Sequence, residues 1–259
     1  MRVSWAVVTG ASSGIGREVA LQLAARGLKL VLVARNAAAL QQLATAIPGT
    51  QTRVLPLDLA DPAGPAQLDE ATRDLDVRVV VNSAGFGSGG PFVTSVLADE
   101  LAMVDVNCRA VLGITHRFAQ RLALEKQESV IVLLSSIVAF QGVARSANYA
   151  ATKAYVQSLG EALALELSST SVRVLTAIPG PTNSGFAARA RMDLGNTADT
   201  AEQVAKDIVD AIFRPRATTV VPGRMGKILL YALSTAPRFL RVRIMKGIMA
   251  SMTRRSSYT

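Results

Sequence analysis

Tyr149 and Lys153 lie four residues apart in Tyr149-Ala150-Ala151-Thr152-Lys153. On a helix that spacing sets both side chains on one face, one turn apart. An ammonium beside a phenol favours the phenolate and draws the phenol's pKa toward working pH. Ser136 follows the strand-like run from Val130 to Ser135, so its hydroxyl belongs at a strand's carboxyl end. A phenol made acidic, with a hydroxyl donor beside it, suits moving a proton to or from the oxygen of a carbonyl or alcohol. Asn107, upstream, is the fourth residue of the set.

The elements that must position these groups begin at the first residues. Thr9-Gly10-Ala11-Ser12-Ser13-Gly14-Ile15-Gly16 stands between an apolar run, Val3 to Val8, and a periodic apolar stretch through Val19, Ala20, Leu23 and Ala24. That order predicts strand, glycine turn, helix. The glycines let backbone approach a pyrophosphate, and the helix start offers N–H groups and a positive dipole end to that anion. The spacing is G-x-x-x-G-x-G rather than the common G-x-G-x-x-G, and read alone these glycines also fit an ordinary turn. A second strand, Leu28 to Val33, ends at Arg35, where an acidic residue would bind the ribose hydroxyls of NAD. A guanidinium there attracts a 2′-phosphate instead, which favours NADP(H) over NAD(H). Read alone, Arg35 is also a solvated charge before a helix.

Taken together the motifs resemble the short-chain dehydrogenase/reductase family, in the family's order, over roughly residues 3 to 222. Thr9 to Gly16 matches the TGxxxGxG cofactor turn, including Ser12, Ser13 and Ile15. Asp58, followed by Leu59, matches the acidic contact to adenine. Asn82-Ser83-Ala84-Gly85 matches the NNAG turn, with Ser in second position. Asn107 matches the helix asparagine of the proton relay. Ser136 stands thirteen residues before Tyr149, the family's usual spacing, and is preferred to Ser135. Pro179-Gly180 follows the sixth strand, with Thr182 a partner for the nicotinamide amide or a phosphate. Pro181 departs from the usual aliphatic residue.

The resemblance implies Tyr149 as general acid or base, Lys153 lowering its pKa and holding the nicotinamide ribose, Ser136 polarising the substrate oxygen, and Asn107 holding a water. It also implies a homodimer or homotetramer. The expected activity is NADPH-dependent reduction of a lipophilic ketone or aldehyde. NAD-linked alcohol oxidation, 3-oxoacyl thioester reduction and a non-catalytic cofactor-binding protein stay open.

With 259 residues and strand-like runs alternating with helical stretches, the chain reads as one α/β domain. The expected architecture is a Rossmann-type doubly wound parallel sheet of about seven strands with helices on both faces. Further strands are expected near Thr52–Leu57, Arg78–Val81, Val172–Ala177 and Thr218–Val221, and helices over Leu97–Leu124 and Ala147–Leu167. Residues 1–222 form the dinucleotide-binding and catalytic domain, and residues 223–259 a helical extension. Cys108 is the only cysteine and reads as a packed thiol. His116 is the only histidine, so a metal site is not expected. The chain runs straight into its first strand and has no run of about 20 apolar residues, so no leader or span is expected and the cytoplasm is the default compartment.

The net charge of +9 is unevenly placed. Ten of 28 basic residues follow Asp210, with no acidic residue after it, which leaves 18 basic against 19 acidic residues before that point. The extension is also apolar, with Val242, Met245, Met249 and Met252 at helical spacing and Pro237 dividing two helices. Three functional readings compete: residues 224–259 lie on an anionic membrane surface, cover a substrate pocket or subunit interface, or bind nucleic acid; the plain alternative is a packed structural helix pair with solvated arginines. Few aromatics and no recognised nucleic-acid fold weigh against the last. Phe86, Phe140, Val143 and Phe186 are the expected apolar lining of the substrate pocket, with Arg145, Arg189 and Arg191 near its mouth.

Overall fold

The computed structural model of the protein describes residues 4–185 and 198–255. Strands β1 (Trp5–Thr9), β2 (Lys29–Ala34), β4 (Val77–Asn82), β5 (Ser129–Leu134) and β6 (Val172–Ala177) are near-continuous runs of Val, Leu and Ile. Such runs suit a parallel sheet covered on both faces. With β3 (Thr52–Pro56) and the short β9 (Thr219–Val220) at the edges, they form a seven-stranded sheet in the order β3-β2-β1-β4-β5-β6-β9, every pair parallel. The expected fold class is the observed one.

Alternation along each strand sorts the core into two layers. Ala6, Val8, Leu30, Leu32 and Val132 face α1 (Gly14–Ala25), α2 (Ala37–Thr45) and α7 (Ala201–Ile212). Val7, Val31, Val80, Ile131 and Leu133 face α3 (Gly64–Glu70), α5 (Val111–Glu125) and α6 (Ala147–Glu166). Phe118 and Leu122 of α5 are fully buried, and each such side chain contributes about 1.5–3 kcal/mol. The strand order reverses between β1 and β4, which opens a crevice at the carboxyl ends of the strands.

The expected helix over Leu97–Leu124 is continuous but not uniform. It runs as α4 (Leu97–Val104), a π-helical turn (Asp105–Ala110) and then α5. The wider turn carries Asn107. Beyond β9, α8 (Arg224–Ser234) and α9 (Arg238–Arg255) flank Pro237, as the sequence suggests. Two features bind α8 to the core. The Asp199 carboxylate, next to the short pairing of β7 (Thr182–Asn183) with β8 (Asp199–Thr200), accepts hydrogen bonds from Arg224 N and Met225 N, both at 3.1 Å. Gly226 also meets Gly180 so closely that a Cβ on Gly180 would stand 2.6 Å from Gly226 Cα.

Candidate active site

The strand ends are fastened to one another before any site is built. Thr9, the last residue of β1, donates its hydroxyl to Val81 O and accepts from Ser83 N and Ala84 N, the latter two at 3.0 Å. Gly10, with φ +69°, has room only for hydrogen: a Cβ would meet Ala84 N and Cα at 2.9 Å. A Cβ on Gly16 would meet Gly10 O at 2.5 Å. These two glycines therefore serve close packing of the protein's own backbone as well as any ligand's approach. Ser13, at the N-cap of α1, makes no side-chain capping bond, so the first N–H groups of the helix remain available at the crevice.

The resulting cleft encloses about 440 Å³. One wall is Gly10, Ser12, Ser13, Gly14, Ile15 and Gly16. A second carries Arg35, Asp58 and Leu59 from the ends of β2 and β3. Arg35 and Asp58 are exposed, and Asp58 Oδ1 accepts from Ala60 N at 2.9 Å. Ala84 and Gly85 follow, and Pro179, Gly180, Pro181 and Thr182 close the far end. The Thr182 hydroxyl donates to Gly180 O at 3.0 Å.

Two of the predicted residues stand outside this lining. Asn82 is buried, with Nδ2 reaching Thr115 Oγ1 at 3.4 Å and Oδ1 without a hydrogen-bond partner. Asn107 stands one layer back. Its Nδ2 donates to Phe86 O at 2.9 Å and Thr152 Oγ1 at 3.1 Å, while its Oδ1 accepts from Phe86 N at 3.1 Å. Its side chain is thereby used to hold the turn after β4. Phe186, Arg189 and Arg191 lie outside the described residues. Phe86 and Val143 line the cleft, whereas Phe140 and Arg145 are not among its walls.

Ser136, Tyr149 and Lys153 meet in the middle of the cleft. The Ser136 hydroxyl is hydrogen-bonded to the Tyr149 phenol. Ser135 points elsewhere and donates to Lys153 O at 3.1 Å, so the strand's pleat separates the two serines. Lys153 Nζ donates to Leu134 O at 2.8 Å and stands 5.7 Å from the centre of the Tyr149 ring. Burial dominates both groups' titration. It pushes the Lys153 ammonium down to about 8 and the Tyr149 phenol up, against the opposing Ser136 hydrogen bond. For Tyr149 the direction is thus set by burial rather than by the neighbouring ammonium, and the phenol keeps its proton at neutral pH. A retained proton is what a donor to a substrate oxygen needs.

Sequence reasoning missed three contributors. Leu229 of α8 and Met245 of α9 line the cleft. Met245 belongs to the stripe at helical spacing, and cover of a substrate pocket is one of the readings given for residues 224–259, but the sequence singles out neither residue for the cleft. The buried Glu100 carboxylate accepts from Asn148 Nδ2 at 2.8 Å and Ser88 Oγ at 3.1 Å, tying the loop after β4 to the first turn of α6 beside Tyr149. Among the described residues no group of His, Cys, Asp and Glu has the geometry of a metal site, and no helix is long and apolar enough to cross a membrane.

The family model for short chain dehydrogenase matches residues 4–195. The chain is 34% identical over 181 residues to a 7beta-hydroxysteroid dehydrogenase of Clostridium sardiniense, covering 69% of each. It is 36% identical over 186 residues to a very-long-chain 3-oxoacyl-CoA reductase of Lodderomyces elongisporus, covering 67% of this chain and 53% of that protein. The chain thus spans about half the length of that fungal relative. Among solved structures, a short-chain dehydrogenase from Sphingobium yanoikuyae in complex with NADPH superposes with a TM-score of 0.81 at 28% identity, over 92% of this chain and 94% of the other.

Proposed function

The chain belongs to the short-chain dehydrogenase/reductase family, and on that premise we propose that it reduces a lipophilic ketone or aldehyde to an alcohol with NADPH. The observation that carries the reading is the Ser136–Tyr149 hydrogen bond beside Lys153 inside the cleft.

The residues fit a nicotinamide dinucleotide. The uncapped start of α1 presents N–H donors suited to a pyrophosphate. Arg35, exposed at the edge of the cleft, suits a 2′-phosphate, with Asp58 and Leu59 beside it for adenine. Ala84, Gly85, Lys153 and the Pro179–Thr182 loop, with Asn82 supporting behind β4, would hold the ribose and nicotinamide end. When bound, that group supplies the hydride.

The chain's own part is proton transfer and orientation. Tyr149, kept protonated by burial, donates to the oxygen that gains charge. Ser136 supplies a second donor to that oxygen, which stabilises the charge where it develops. Lys153 fixes its ammonium on Leu134 O and can restore a proton toward Tyr149. Asn107 holds the Phe86 turn and the Thr152 hydroxyl, which keeps the helix carrying Tyr149 in register.

Phe86, Val143, Leu229 and Met245 give the substrate end an apolar lining. The likeness to a hydroxysteroid dehydrogenase and a 3-oxoacyl-CoA reductase supports a large apolar carbonyl compound, steroid or acyl thioester. Loss of NADPH fluorescence with a panel of such carbonyls, NADH in parallel, tests the reading. Turnover with NADPH and long-chain or polycyclic ketones is expected. Equal efficiency with NADH removes the cofactor assignment, and preference for small hydrophilic carbonyls removes the substrate class.

A further inference from the structure

We propose that the α8–α9 pair is a docking surface for a membrane carrying anionic phospholipid, set beside the cleft. The inference stands independently of the reductase reading. Both helices turn some residues to the cleft and leave others exposed, and on α8 the two sides are unlike. Inward, Leu229 and Met245 line the cleft. Outward on α8, Arg224, Lys227, Ile228 and Tyr231 fall at i, i+3, i+4 and i+7 and are all exposed, which puts them on one stripe. On α9, Phe239, Leu240 and Ile244 are exposed beside Arg243 and Lys246, while Arg238, seven residues before Met245 and on its stripe, is exposed at the first turn. Ordinary packing accounts for the inward residues but leaves Phe239 67% and Tyr231 77% exposed.

Charge decides between occupants. The sequence has no acidic residue after Asp210. Asp207, 3.8 Å from Lys227, belongs to α7. A second copy seated on this face would set cations against cations. A nucleic acid would meet the cations but leave Phe239, Leu240 and Ile244 without partners. An anionic lipid surface takes both, with headgroups against the basic residues and the apolar side chains at the acyl boundary. Another exposed apolar group, Phe92, Val93, Val96, Leu97 and Leu101, has the exposed Asp99 in its midst.

Flotation of the full chain with phosphatidylcholine vesicles, with and without phosphatidylglycerol, tests this. Binding to the anionic vesicles is expected, weakening at high salt. Replacing Arg238, Arg243 and Lys246 together by Gln is expected to lower partitioning about fivefold per cation, on the order of 10²-fold in all. Phe239→Ser with Ile244→Ser is expected to weaken it further, and unchanged melting temperatures would show these variants folded. Absence of binding, equal binding to neutral vesicles, or binding indifferent to salt and to the variants overturns the proposal. So does finding that the same substitutions abolish self-association or duplex DNA binding while vesicles are ignored.

Discussion

The cleft has one wall of strand ends and another of helices, and the two are held by different means. The strand-end wall is fixed many times over: Thr9 ties β1 to the turn after β4, Gly10 and Gly16 press backbone on backbone, and the sheet behind is buried on both faces. The α8–α9 wall rests on the Asp199 bonds to the start of α8, the Gly180–Gly226 crossing and a few inward side chains, and it leaves apolar residues exposed. Ser136 stands on the first wall, and α6, which carries Tyr149 and Lys153, is fastened to it through Lys153 Nζ to Leu134 O and Ser135 Oγ to Lys153 O. Leu229 and Met245 stand on the second. A rigid scaffold carrying a more loosely attached cover lets substrate choice change without disturbing the proton donors.

Substitutions on the two walls should therefore behave differently. The largest effect is expected from Tyr149→Phe, which removes the proton donor. kcat should fall on the order of 10²-fold or more while NADPH still binds, read by single-turnover kinetics and cofactor fluorescence. Near-normal turnover would place the chemistry elsewhere.

Gly16→Ala probes how tightly the rigid wall is packed. A Cβ there meets Gly10 O at 2.5 Å, so a loss of about 1–3 kcal/mol is expected in urea unfolding. An unchanged midpoint would mean that the turn can yield. Arg35→Ser should raise KM for NADPH about tenfold and spare NADH, with little change in melting temperature, because the side chain is exposed.

Lys153 gives a pH signature. Its folded-state pKa is lowered to about 8, so between there and the ordinary lysine value the unfolded chain binds more protons than the folded one. Stability should then rise with pH across that window, on the order of 1 kcal/mol per unit, and Lys153→Met should flatten the slope. Above pH 10 the raised Tyr149 works in the opposite sense, because the folded state there holds the extra proton. The smallest effect belongs to the helical wall. Met245→Ala should raise KM for a lipophilic carbonyl a few-fold and leave kcat with a small aldehyde alone. If it instead lowered kcat for every substrate, the two walls would not be separable.

Much of the first wall was legible because it depends on local order. A strand, a glycine turn and a helix start announce themselves in consecutive residues, and the four-residue step from Tyr149 to Lys153 is a helix repeat. What escaped notice were contacts between distant segments. Asn82 reads as a residue of the site, yet its side chain turns to Thr115 behind the sheet. The motif around Asn107 does not tell that its side-chain amide holds the Phe86 turn and Thr152. Glu100 and Leu229 carry no motif at all, and the stripe that holds Met245 does not say what it faces.

The sequence by itself determined the family, the fold class and the order of the turns that follow the strands. Periodicity and spacing are properties of neighbouring residues, and they survive without a partner in space. Only the tertiary structure decided which way the titrations move and what the last two helices face. Those outcomes depend on burial and on atoms brought together from far along the chain. Desolvation of Tyr149 and Lys153 is the plainest case, because it is a property of the packed cleft and of no segment alone.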